Sequence, residues 1–199
     1  MALNIKQRSE GKRKPPVRIL IVCEGEKTEP GYFNGFRVAG EVCDVRGLGA
    51  NALSLVREAN KIYKKGDYTE VWCVFDRDSF PRKNVIAALN QAAAWGFKCA
   101  FSNESFELWY VLHFCYLDTQ ITRKDYCDKL SGFLDRKYRK NDPLIFDELS
   151  ARQEQAIKAS KKLFKNIVVN GVERADARPH TSVHELVERL RALERSIGR

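Results

Sequence analysis

Val17-Arg18-Ile19-Leu20-Ile21-Val22-Cys23-Glu24-Gly25 is the stretch on which the fold turns. It is a short, β-branched, nearly continuous apolar run that stops abruptly at an acid and a glycine. A strand with one wet face alternates apolar and polar residues, whereas a strand covered on both faces, as in a parallel sheet, reads as an unbroken apolar run. Glu24-Gly25-Glu26-Lys27-Thr28-Glu29-Pro30 then breaks the strand. Pro30 suits the first turn of a helix, with Tyr32, Phe33 and Phe36 on one side.

The same unit recurs downstream. Glu41 to Arg46 is a second, weaker strand, and Gly47 and Gly49 form a loop. Asn51 then caps a helix carrying Leu53, Leu55, Val56, Ala59 and Ile62. Glu70-Val71-Trp72-Cys73-Val74-Phe75 is a third strand ending at Asp76-Arg77-Asp78. Asn84 to Trp95 reads as a helix with Ile86, Leu89 and Ala93 inward, stopped by Gly96. Phe97 to Phe101 is a fourth strand ending at Ser102-Asn103-Glu104, and Ser105 to Tyr116 is a helix apolar almost all round. Strands alternating with helices predict an α/β core over residues 17–116. That core is a mostly parallel four-stranded sheet flanked by helices. Beyond residue 117 the pattern predicts helical C-terminal additions packed on the core, at Thr122–Tyr138, Ser150–Lys165 and Ser182–Ile197. Residues 1–16, ending in Pro15-Pro16, read as a flexible basic arm.

The 199 residues are 44% hydrophobic and 11% aromatic, enough to fill a core, which excludes a wholly disordered chain. No apolar run approaches the roughly 18 residues of a membrane span, and the first residues have no apolar signal region. These features predict a cytoplasmic protein with no membrane association. Lysine and arginine number 35 against 26 acids, a net charge of +9 that favours a polyanionic partner. The six cysteines form no C-x-x-C pair, and three in strand-like runs (Cys23, Cys73, Cys99) read as free, buried thiols.

In open parallel sheets, functional groups gather beyond the carboxyl ends of the strands. Three of the four strands end in acid-bearing loops, so the fold would bring Glu24, Asp76 and Asp78, and Ser102-Asn103-Glu104 to one edge. In extended chain Asp76 and Asp78 point the same way, so both can face one Mg²⁺ or Mn²⁺ while Arg77 faces elsewhere. Glu24 serves as a further ligand or as a general acid or base, and Gly25 permits a tight turn beside it. Glu26 and Glu29 read as more peripheral. Glu107 lies in an apolar helix and needs a partner there, so it either belongs to the site, the reading favoured here, or pairs with an arginine or a helix N-terminus. Ser102 and Asn103 are possible phosphate contacts. Arg136, Lys137, Tyr138, Arg139 and Lys140 read equally as a nucleic-acid-binding surface, with Tyr138 stacking on a base, and as a solvated helix face. His113 reads as a structural histidine, and His180 and His184 as capping or surface residues at the start of the last helix.

An E-G turn after the first strand with a D-x-D after a later one resembles the Toprim fold of topoisomerases, primases and OLD-type nucleases. Four motifs narrow the resemblance: residues 18–33 (RILIVCEGEKTEPGYF), residues 74–79 (VFDRDS), residues 102–109 (SNESFELW) with His113-Phe114, and residues 178–187 (RPHTSVHELV). Together they resemble the RloB family. That resemblance implies a Toprim-like protein encoded with restriction-modification or other phage-defence genes. Carried over by position, Glu24 matches the Toprim acid/base glutamate, and Asp76 and Asp78 match the metal pair. OLD-type sites carry an acid four residues after the first glutamate. Thr28 stands there here, which puts a two-metal geometry in doubt. The reading that follows is a Mg²⁺-dependent nuclease with nucleic acid, and a possible defence partner protein, as its partners. A non-catalytic binding module and a nucleotide phosphotransfer enzyme are the alternatives.

Overall fold

The computed structural model describes residues 17–38, 42–63, 67–77 and 81–197. The basic arm (1–16) and Asp78 lie outside the described residues. In chain order the elements are β1 (Ile19–Cys23), α1 (Thr28–Asn34), β2 (Cys43–Gly47), α2 (Ala52–Ile62), β3 (Glu70–Asp76), α3 (Arg82–Ala94) and β4 (Lys98–Asn103). After them come α4 (Glu107–Val111), α5 (Arg123–Phe133), α6 (Ile145–Ser150), α7 (Gln153–Val169), β5 (His180–Thr181) and α8 (Val183–Ile197).

The sheet has five strands in the order β2-β1-β3-β4-β5. The first four are parallel, and β5 runs antiparallel to β4, pairing Thr181 with Ser102 and His180 with Asn103. The expected four-stranded sheet therefore gains a short edge strand. Two residues carry no periodicity, and only their pairing with β4 makes them a strand. β4 correspondingly runs on through Ser102 and Asn103, beyond the expected end at Phe101.

Alternation along the strands separates two apolar layers. Leu20, Val22, Cys73 and Phe75 face α2 and α3. Ile19, Ile21, Cys23, Trp72 and Val74 face α1, α4 and the C-terminal helices, whose Leu130, Leu149, Leu163, Val187 and Leu190 share that layer. Helix α3 is rotated from the expected face. Val85, Ala88 and Ala92 are buried, Ile86 and Leu89 are half-buried against the same layer, and Ala93 is exposed.

Caps and breaks set several helix lengths. Asn51 accepts a hydrogen bond from the Ser54 N–H at the start of α2. Thr122 and Asp125 form a reciprocal capping box on α5. That helix stops at Phe133, short of the expected Tyr138, and Asp135 follows with φ +51. Residues 136–140 are accordingly loop, not helix. α4 is likewise only Glu107–Val111, although Ser105 to His113 are all buried. Among the described residues no helix is long and apolar enough to cross a membrane.

Candidate functional site

β1 is followed in the chain by its neighbour on one side, β2, and then by its neighbour on the other, β3. The crevice beyond the carboxyl ends of β1 and β3 is thus the place where the strand order reverses, the usual ligand position in such sheets. Glu24 leaves β1 there, and Asp76 ends β3. The parallel register continues one step past Cys23, where the Glu24 N–H donates to the Val74 carbonyl at 2.9 Å. The Asp76 N–H in turn donates to Glu24 Oε2 at 3.0 Å. Two residues 52 positions apart are thereby locked together.

These two residues form one wall of a cleft of about 370 Å³. Glu26, Glu29 and Glu107 add three more carboxylates, so Glu26, read as peripheral, also lines the cleft, and Lys27, Arg123 and Lys140 surround them with positive charge. Asp76 Oδ2 accepts from the Phe106 N–H at 2.9 Å and lies 3.9 Å from Arg123. Asp76 Oδ1 is buried and has no hydrogen-bond partner among the described residues. Burial pushes the Asp76 carboxyl well above the usual range, and Glu29 and Glu107 push it further. Burial also raises Glu29, assisted by Glu107 and opposed by Lys140.

Glu107 is 3% exposed, yet its carboxylate is held from three directions. Ser105 Oγ donates to Oε2 at 2.7 Å, the Tyr138 hydroxyl donates to Oε1 at 3.4 Å, and Lys140 Nζ is 3.9 Å away. Gly25 explains how Glu29 enters the cleft. The Glu29 carboxylate occupies the space that a β-carbon on Gly25 would fill.

Asp76 Oδ1 offers a hard, buried oxygen with an open valence among anionic neighbours, the donor type that Mg²⁺ or Mn²⁺ takes. Among the described residues no three acid, histidine or cysteine side chains gather closely enough to hold one ion by themselves. Mg²⁺ needs only one or two carboxylates plus water and substrate phosphate, so the donor set fits it.

A family model for RloB-like proteins matches residues 19–190, which include every residue of this cleft. The chain belongs to the RloB-like family. No curated protein and no solved structure matches it.

Elsewhere this RloB-like chain departs from its sequence reading. Ser102 and Asn103 are fully buried. The Ser102 hydroxyl pairs with that of Thr181 at 3.0 Å. Asn103 Nδ2 donates to the carbonyls of Ala177 and Ala175 at 2.8 and 3.2 Å. Their side chains thus fasten the segment that leads into β5, and neither lines the cleft. Tyr138 is 5% exposed and bonded to Glu107, so it does not stack on a base at the surface. Burial and Glu107 both raise its hydroxyl, which stays a donor.

Arg136 is tied to Asp142 and to Glu148, the latter at 2.7 Å. It braces its own loop, while Lys137, Arg139 and Lys140 are exposed. His180 and His184 are buried, not surface residues. His184 Nδ1 meets Ser160 Oγ at 2.7 Å, and His180 lies between Phe101 and Phe164. His113 is a buried structural histidine, with Nδ1 2.9 Å from the Trp109 carbonyl.

Glu29, read as peripheral, is the main correction at the site. Its signal was present five residues after Glu24, where the α1 turn carries it back over Gly25. Lys140 stood out only as part of the basic run 136–140, and Arg123 and Asn141 had no local signal, since only packing of the C-terminal region brings all three to the sheet edge.

Proposed function

We propose that the cleft is the active site of a metal-dependent phosphodiesterase that cleaves nucleic acid, in a phage-defence setting. The observation that carries this reading is the gathering of Glu24, Glu26, Glu29, Asp76 and Glu107 with Lys27, Arg123 and Lys140 at the strand-order reversal. The buried Asp76 Oδ1, which has no hydrogen-bond partner among the described residues, supports it. Five acids alone would repel a phosphate, and three cations alone would need no acids. Together they suit a substrate anion that arrives with a divalent cation.

Asp76 would hold Mg²⁺ or Mn²⁺, with Asp78 two residues on as its companion. A bound divalent ion polarises a phosphoryl oxygen and offsets charge on the leaving oxygen. Hydrolysis joins a water oxygen to phosphorus, breaks the bond to the leaving sugar oxygen, and moves one proton off the water and one onto that oxygen. Glu24, less buried than Glu29 or Glu107, takes the water proton. Glu29, which burial keeps protonated above the usual carboxyl range, supplies the other. Arg123 and Lys140 bind the phosphate, and Glu107 holds Lys140 in place.

Incubation of the full chain with DNA, RNA and tRNA, with and without Mg²⁺ or Mn²⁺, tests the reading. Metal-dependent cleavage that Asp76→Asn abolishes while nucleic-acid binding persists is the expected result. Binding without cleavage of any of the three, in either metal, refutes it.

A further inference from the structure

Three cavities meet at one residue. Asn141 lines the acidic cleft, an apolar pocket and a basic groove. Its backbone has φ +66, a conformation non-glycine residues adopt uncommonly and asparagine more readily than most. The Thr28 hydroxyl donates to Asn141 Oδ1 at 3.0 Å across 113 residues, which fixes the junction and leaves the amide N–H₂ group to point elsewhere.

The apolar pocket has a volume of about 370 Å³, and Pro30, Tyr110, Tyr138, Ile145 and Phe146 form its walls. The rings are held by edge contacts. Phe146 sits 5.0 Å from Phe36 and 5.4 Å from Tyr32, and Tyr110 sits 6.3 Å from Tyr138. Asn34 and Asn141 stand at its rim, and each amide offers a donor and an acceptor. The groove carries Lys137, Arg139 and Lys140. The three surfaces therefore adjoin at Asn141: a basic one, an acidic one with cations, and an aromatic one with amides.

We propose that the aromatic pocket receives one unstacked base of a single-stranded nucleic acid. The adjacent phosphate lies in the acidic cleft, and further phosphates run along Lys137 and Arg139. The assignment rests on reading the cleft as a phosphodiester site. A flat, apolar-faced ring with hydrogen-bonding edges matches rigid aromatic walls with amides at the mouth. A base within a duplex is stacked and paired and cannot enter such a pocket without being flipped out. The pocket also communicates with the cleft, because the Tyr138 ring forms its wall while the Tyr138 hydroxyl bonds Glu107.

Binding of the full chain is measured without divalent metal, so that cleavage plays no part. The probes are a short single-stranded oligonucleotide in DNA and RNA form, its duplex, and an abasic strand of the same length. The base-bearing strand should bind at least about tenfold tighter than the abasic strand. Phe146→Ala should erase that difference and leave abasic affinity unchanged. Gly31→Phe is the second variant. Gly31 lines the pocket from an exposed position on α1, and a β-carbon there meets nothing within 4 Å, so the new ring blocks the mouth without disturbing the core. It should erase the same difference with an unchanged melting temperature. Equal affinity for abasic and base-bearing strands, or a duplex bound as tightly as the single strand, overturns the proposal. A base preference that both variants abolish, with no cleavage when metal is added, upholds the pocket and overturns only the nuclease reading.

Discussion

Glu29 and Gly25 fit together as a side chain and the space left by a missing one: the Glu29 carboxylate lies where any β-carbon on Gly25 would project. The E-G dipeptide is thus a requirement of the cleft's own packing. The glycine admits a further carboxylate that would otherwise be pushed into solvent.

Gly25→Ala should cost about 1–3 kcal/mol of stability through overpacking. In a Glu29→Ala background the same change should cost well under half as much, because the colliding group is gone. Chemical denaturation of the four proteins in this double-mutant cycle measures the coupling. Additive losses would show that Gly25 is needed for something other than Glu29.

Asp76→Asn should leave the metal-free protein as stable as wild type or more so. The Asp76 carboxyl is buried beside Glu29 and Glu107, so its charge is held against repulsion. Thermal melts across a Mg²⁺ titration should show a rise for wild type that the variant lacks. A metal-induced rise of equal size in both removes Asp76 from the ligand set.

Acid should destabilise the protein below about pH 6.5 through its histidines. Burial holds His113, His180 and His184 down at about 4, 3 and 4 respectively. Above pH 6.5 all three are neutral in both folded and unfolded chains, and stability is at its full value. As pH falls toward 4 the unfolded chain takes up protons that the folded chain refuses. Each histidine then removes up to about 1.4 kcal/mol per pH unit. Asp76 and Glu29 oppose the trend, since their raised folded values make the folded chain the better proton acceptor. His180→Phe, which keeps a ring between Phe101 and Phe164, should flatten the limb measured by urea unfolding from pH 6.5 to 4.5. A limb of unchanged steepness would show that His180 titrates normally in the folded protein.

The basic loop should divide into structural and binding residues. Arg136→Ala breaks ion pairs to Asp142 and Glu148 and should lower stability by about 1 kcal/mol. Lys137→Ala with Arg139→Ala should leave melting unchanged. The pair should weaken single-strand binding and reduce the slope of log affinity against log salt by about 0.7 for each phosphate that the protein no longer neutralises. An unchanged slope would make both residues a solvated surface.

The parts of the site legible in the sequence were those at strand ends. Glu24 and Asp76 each close an apolar run, and the parallel alternation alone sends both to the same edge. Glu107 was legible because an acid in an apolar helix must find partners, and it finds Ser105, Tyr138 and Lys140. Ser102 and Asn103 also stand at a strand end, yet they are not part of the cleft. β5 pairs with them and turns their polar side chains into internal fasteners.

What the sequence determined by itself was the four parallel strands, the helices between them and the apolar face of α8. These follow from local periodicity, which is set by backbone geometry and needs no partner to be read. Tertiary structure alone decided that β5 exists, that α5 stops before Asp135, that His180 and His184 are buried, and that Arg123, Lys140 and Asn141 join the cleft. Each of these depends on distant segments meeting, such as Thr28 with Asn141 or Asn103 with Ala177. Their polar side chains look alike in the sequence whether they face water or a partner, and only packing across the sheet edge chooses between the two.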